Sequence, residues 1–101
     1  MADRVHIGRE SSVIGAIRRR AKKHSPDLLL RKYHGSEFGL GGEPDLYGCY
    51  RGRAFAVEAK RPGEEPSRLQ LERLKEWAAA GAITGVAHSA AEFFKLLGMK
   101  Q

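Results

Sequence analysis

Two runs that read as β-strands, Leu46-Tyr47-Gly48-Cys49-Tyr50 and Arg53-Ala54-Phe55-Ala56-Val57-Glu58-Ala59-Lys60, are separated by only Arg51-Gly52. So short a connection makes a β-hairpin, and a hairpin turn sets the register of the strands it joins. Counting back from the turn, residues near Asp45 fall opposite residues near Glu58, so two carboxylates converge at one end of the hairpin. Pro44 cannot donate to a ladder and suits the first position of its strand or an edge. Side chains alternate along the second run, which puts Glu58 and Lys60 on one side and Phe55, Val57 and Ala59 on the other.

Two carboxylates held together repel, and stay ionised at neutral pH only where a cation or several donors offset the repulsion. A hard divalent metal does this. Mg²⁺ prefers oxygen ligands, keeps several waters and is usually held by one or two carboxylates plus a substrate phosphate. Lys60 is placed to orient an attacking water or to offset charge on a phosphorane-like transition state, while the metal lowers the pKa of that water. The arrangement suits metal-assisted cleavage of a phosphodiester. For Glu58 and Lys60 alone the plainer reading is a cross-strand salt bridge on a solvated face. Adding Asp45 and two helical residues turns the reading toward a site.

The first helical residue is Glu10. From Gly8 to His24 the apolar residues Val13, Ile14, Ile17 and Ala21 follow helical spacing, and Glu10 lies three and four residues before the first two. On the buried stripe a carboxylate needs a partner, which a metal at the helix end supplies; in the first turn it complements the helix dipole instead. The second is Gln70, four and seven residues before Leu74 and Trp77 in a helix over 67–80 whose apolar face carries Leu71, Leu74, Trp77 and Ala78. Ser67-Arg68-Leu69-Gln70 also spells a capping box, with Gln70 bonding back to the Ser67 N–H.

Gly42-Glu43-Pro44-Asp45, then Glu58-Ala59-Lys60, then Gln70 resembles the PD-(D/E)xK nuclease superfamily, and the Gly-x-Pro-Asp spelling with the trailing Gln looks like its VRR-NUC branch. The likeness covers nearly the whole chain. It implies a restriction-endonuclease-like α/β core of helix, three strands, helix and strand, with Mg²⁺- or Mn²⁺-dependent cleavage. For short stand-alone phage or bacterial members it implies homodimers acting on four-way (Holliday) junctions. It further implies that Glu10, Asp45 and Glu58 bind the metal together with the Ala59 carbonyl. Lys60 would then be catalytic, with Gln70 contacting the metal water, Lys60 or a DNA phosphate.

Charge points to the same partner. With 18 Lys plus Arg against 12 Asp plus Glu, the formal charge is +6, which favours a polyanion. Arg18, Arg19, Arg20, Lys22 and Lys23 form the densest run, at the end of the first helix, where they either contact phosphate or complement the dipole. Arg51, Arg53, Arg61 and Arg68 flank the acids in sequence and are expected to touch DNA near the cut. Gly35, Gly39, Gly41 and Gly42 surround Phe38 and Leu40 in a stretch read as a mobile loop. That stretch lacks the spacing of a nucleotide loop, so no nucleotide cofactor is expected. His24, His34 and His88 are scattered and read as surface or capping residues, with His34, at a strand end, as the one placed to border the site. Cys49 is the only cysteine, which excludes an intrachain disulfide and a Cys/His zinc cluster and suits a reducing interior. No apolar run approaches a membrane span, and no signal segment is read, so a cytoplasmic place in a prokaryotic or phage-infected cell is expected.

The rest is scaffold. Leu28–Tyr33 reads as the first strand and Ile83–Ala87 as the last, parallel to the strand of Glu58 because a helix separates them. Ser89-Ala90-Ala91-Glu92 spells a second capping box opening a C-terminal helix. Its Phe93, Phe94, Leu96 and Leu97 exceed one buried face and are expected to place some apolar surface in a dimer interface. At 101 residues, the expectation is one domain over 1–101 with a mixed central sheet. The activity expected is structure-selective DNA endonuclease, with a flap or general repair nuclease, or an inactive basic nucleic-acid-binding module, as alternatives.

Overall fold

The computed structural model describes residues 10–34 and 41–99, excepting the side chains of residues 10 and 11. The elements run α1 (Glu10–Ala21), β1 (Leu28–Lys32), β2 (Leu46–Tyr50), β3 (Arg53–Ala59), α2 (Arg68–Ala79), β4 (Ile83–Ala87) and α3 (Ala90–Leu96), with a short 3₁₀ turn at Lys22–His24 after α1. The glycine-rich stretch expected to be a mobile loop lies largely outside the described residues, from 35 to 40.

The four strands form one mixed sheet in the order β1-β2-β3-β4. β1 and β2 pair antiparallel, as do β2 and β3, while β3 and β4 are parallel. The hairpin turn is tight because Arg51 and Gly52 both take positive φ, 50° and 85°, the twist that two-residue hairpins favour. Leu46 pairs with Val57, which brings Asp45 opposite Glu58 one step further on. Gly48 is required where β1 crosses: a Cβ there would collide with the Leu29 carbonyl oxygen. The α2 crossover joins β3 to β4 and makes them parallel, as the helix between them demands.

Helices cover both faces. On one, α1 and α3 pack together over Leu28, Leu46, Phe55, Val57 and Ala59, and Ile14, Ile17, Phe93, Phe94 and Leu97 close the core. Phe93 stands edge-on to both Phe55 and Phe94. Phe93 and Phe94 are therefore buried within the chain, a correction to the surplus expected at a dimer interface: the aromatic pair fills the space between α1 and β3. On the other face α2 lies against β3 and β4. It buries Leu74 but leaves Leu71 and Ala78 exposed, although both were expected inside. Leu71 and Ala78 flank Thr84 of β4, the edge strand, beyond which the sheet offers no further strand to cover them.

Local caps behave as spelled at one helix and differently at the other. In α2, Ser67 Oγ accepts from Gln70 N and Gln70 Oε1 accepts from Ser67 N, a complete box. In α3, Ser89 Oγ accepts from Glu92 N, but Glu92 Oε1 takes the N–H of His88, not of Ser89. His88 Nδ1 lies 3.0 Å from the same oxygen and Nε2 3.0 Å from the Glu64 carbonyl. The imidazole competes for the Glu92 carboxylate and draws it one residue back.

Candidate active site

Three backbone ties define the acid end of the hairpin. Tyr33 N–H donates to the Asp45 carbonyl at 2.7 Å, and Lys60 N–H donates to the Ala87 carbonyl at 3.0 Å. Ala59 N–H donates to Asp45 Oδ2 at 3.0 Å, so the Asp45 carboxyl itself takes the place of a ladder acceptor. These bonds extend the sheet just past the last paired residues of β1, β2 and β3. Asp45 and Glu58 consequently meet on the face that α2 partly covers, together with Ala56 and Tyr47, two residues along each strand.

Burial at this end is deep. Glu58 is 1 % exposed, and the Lys60 ammonium, 14 % exposed, lies 3.7 Å from Glu58 Oε2. The Asp45 pKa is raised, first by burial, against the opposing pull of the Ala59 N–H, the charges of Lys60 and Lys32, and a hydrogen bond with the Glu58 side chain. A single ammonium does not neutralise two acids held this close and this deeply.

That chemistry fits a hard cation. The groups gathered here are carboxylate oxygens beside a strand-end backbone, suited to Mg²⁺ or Mn²⁺ and offering no soft ligand. Among the described residues no three of His, Cys, Asp and Glu gather at one point. Asp45 and Glu58 make two, and the side chain of Glu10, the third acid expected, lies outside the described residues. Ala59 is buried at the end of β3.

The sequence reasoning missed what positions Asp45. Glu43 Oε1 accepts from Trp77 Nε1 at 3.1 Å, and Glu43 Oε2 lies 3.7 Å from Arg73 Nε. Arg73 Nε also donates to the Gly41 carbonyl at 3.1 Å. Thus α2 grips the segment leading into Pro44-Asp45 through residues thirty or more positions away. A carboxylate, an indole and a guanidinium at such spacing form no motif, so only the pairing chemistry of Glu with Trp and Arg could have suggested it.

Other expected residues fall at varying distances from the acids. Gln70 completes the α2 cap, so any contact with substrate must coexist with that bond. Arg61 follows Lys60 and pairs with Glu64 at 2.8 Å; Arg68 is exposed at the start of α2. Arg51 and Arg53 sit at the turn end of the hairpin, where Arg51 pairs with Asp27 at 3.4 Å. Five residues of strand separate Arg53 from Glu58, roughly 17 Å at strand rise, so nearness in sequence does not make these two neighbours of the acids. Arg18, Arg19 and Lys22 are exposed at the end of α1 and the turn after it. His34 is exposed just beyond β1.

No family model matches the chain, and no curated protein matches it. Solved structures do. One, described as a "VRR_NUC domain", aligns with a TM-score of 0.71 at 28% identity, covering 91% of this chain and 97% of its own. Another, a "VRR_NUC domain protein", aligns with a TM-score of 0.73 at 18% identity, covering 89% and 85%. The chain has the restriction-endonuclease-like fold of a VRR-NUC domain. Among the described residues no helix is long and apolar enough to cross a membrane.

Proposed function

We propose that this chain is a metal-dependent, structure-selective DNA endonuclease that nicks four-way junctions as a homodimer. The observation that carries the reading is the meeting of Asp45 and Glu58, with Lys60 beside them, at one buried end of a hairpin in a VRR-NUC fold. A surface salt bridge has no need of a carboxylate 1 % exposed.

In the reaction, water attacks phosphorus in line with the leaving oxygen. A new P–O bond forms, the bond to the leaving oxygen breaks, and that oxygen takes up a proton. Asp45, Glu58 and the Ala59 carbonyl, with Glu10 as the resemblance implies, would hold a divalent metal, which when bound would supply charge neutralisation and a water of lowered pKa. Lys60 offsets charge building on the phosphoryl oxygens. Asp45 is kept in register by Tyr33 and Ala59, and its approach is held by the clamp of Glu43 on Trp77 and Arg73. The net charge of +6 draws the polyanion and makes binding salt-dependent.

The homodimer rests on arithmetic: symmetric resolution of a junction takes two cuts, and the described residues of each chain gather one buried acid pair. A cytoplasmic place of action, in a prokaryotic or phage-infected cell, accords with the free thiol of Cys49.

The test is cleavage of labelled four-way junction, flap, single-stranded and plain duplex DNA with Mg²⁺ or Mn²⁺, by the native chain and by Asp45→Ala, alongside sedimentation. Paired symmetric nicks in the junction, lost in the variant, and a dimer at working concentration are the expected result. Cutting of flaps or every duplex removes the junction assignment and keeps the nuclease. Binding without cutting of any substrate makes the chain an inactive binding module.

A further inference from the structure

The face that carries Asp45 and Glu58 is only half covered. Strand alternation and the observed register place Leu29 and Arg31 of β1, Tyr47 and Cys49 of β2, and Ala54, Ala56 and Glu58 of β3 on that face. The helix α2 lies over β3 and β4, so among the described residues no helix packs over the β1–β2 half. There Tyr47 is 37 % exposed and Leu29 49 % exposed, and Arg31, the cross-strand partner of Tyr47, is exposed as well. Tyr47 stands two residues from Asp45 on the same side of the same strand, about 7 Å away along it.

This open surface is continuous with a basic cleft. Arg31 and Leu29 also line a cleft of about 260 Å³ beyond the β1 edge, with Arg18, Lys22 and Ser25. None of the described residues lining it is acidic. An aromatic ring near the acids, an aliphatic side chain further along the sheet and three cations leading away have the composition of a single-strand nucleic-acid track: a stacking surface and a groove that follows phosphates. A second copy of the chain fits poorly, because a two-fold contact through this surface would gather two sets of Arg18, Lys22 and Arg31 in one interface, with no acid among the described residues of the cleft to offset them.

Resting on the nuclease reading above, we propose that the open half of the sheet receives an unpaired nucleotide beside the scissile phosphate. Tyr47 stacks on its base, Arg31 holds its phosphate, and the strand continues over the β1 edge into the cleft of Arg18 and Lys22. The substrate class follows: DNA with single-stranded or splayed character at the cut, since a base inside a duplex keeps both faces stacked on its neighbours. The inference also gives Arg18 and Lys22 a place on the path, which their distance along the chain from Glu58 conceals.

The test is binding in EDTA, where metal-dependent cutting is off. The probes are a single strand carrying 2-aminopurine, a splayed junction and a plain duplex, with native chain, Tyr47→Phe, Tyr47→Ala and Arg31→Ala. Tyr47→Ala is expected to lose about fivefold to a hundredfold on the single strand and splayed junction, with loss of 2-aminopurine quenching and little change on duplex; Tyr47→Phe retains both. Arg31→Ala is expected to lower the slope of log affinity against log salt by about one, a readout that stands even if Tyr47→Ala fails to fold. Equal losses on duplex and single strand, unchanged quenching in a folded Tyr47→Ala, or an unchanged salt slope in Arg31→Ala overturn the proposal. So does a change in self-association with DNA binding intact, which would make this surface an interface between copies. A native chain that shows the binding pattern but cuts nothing defeats the nuclease reading and leaves the track standing.

Discussion

The two ends of the β2–β3 hairpin carry ion pairs of nearly equal length and opposite meaning. At the turn end Arg51 lies 3.4 Å from Asp27, with side chains 68 % and 55 % exposed. At the other end Lys60 lies 3.7 Å from Glu58, at 14 % and 1 %. Water screens the first pair, and such pairs contribute about 0–1 kcal/mol. The second has given up its hydration, and the neighbouring Asp45 adds a further acid that burial disfavours as an anion. Burial, not distance, separates a decorative contact from a site under electrostatic tension, which the proposed divalent cation would relieve.

The largest effect expected from breaking this contrast is on chemistry. Glu58→Gln keeps the shape of the side chain and removes its charge; cleavage should fall by at least about a hundredfold while circular dichroism and the unfolding midpoint show a folded chain. Retained cleavage would remove Glu58 from the site.

Next comes the clamp that presents Asp45. Glu43→Ala deletes the acceptor for Trp77 Nε1 and the partner of Arg73, leaving a half-buried indole N–H unsatisfied, at a cost of about 1–3 kcal/mol. Thermal unfolding should shift down by about 4–8 °C for each kcal/mol in a chain of this size, and cleavage should fall with it. A stability loss with cleavage per folded molecule unchanged would show that the clamp holds the fold but not the acid.

A smaller effect, with a defined sign, follows from the raised pKa of Asp45. A carboxyl whose folded-state pKa lies above its unfolded value favours folding at low pH, and that contribution is lost as pH rises through the folded-state pKa. In EDTA the native chain should thus lose stability from Asp45 as pH climbs from about its ordinary 3.8 through the raised value. Asp45→Asn should remove this component and be at least as stable as native at pH 7 while losing cleavage. Denaturant midpoints against pH for the two chains measure it; a native curve that rises where the variant's is flat would contradict it.

The smallest effect belongs to the exposed end. Arg51→Ala should change unfolding free energy by no more than about 0.5 kcal/mol, measured by urea titration. A loss above 1 kcal/mol would mean that the turn end carries more of the fold than its exposure allows.

What was legible in the sequence was mostly local. Arg51-Gly52 between two apolar runs gave the hairpin, its register and hence the meeting of Asp45 with Glu58, because turn geometry propagates along a ladder without help from the rest of the chain. Ser67 to Gln70 gave the α2 cap for the same reason. The final helix was harder: its start was legible, but Glu92 turns to His88 because β4 ends there and Glu64 approaches the imidazole from another loop. The apolar surplus of Phe93 and Phe94 looked like an interface until α1 and Phe55 were seen to enclose it.

The sequence by itself determined the order of strands and helices, the hairpin register, the parallel β4 and the pairing of two acids near a lysine, since each follows from alternation, turn chemistry or crossover handedness over a few neighbouring residues. Only the tertiary structure decided that Glu58 is buried, that Glu43 is gripped by Trp77 and Arg73, that Arg51 and Arg53 stand at the far end from the acids, and that Tyr47 and Arg31 lie open beside them. Those depend on where α2 comes to rest across the sheet. Its position is set by packing among residues distant in the chain, whose contact energies no local pattern encodes.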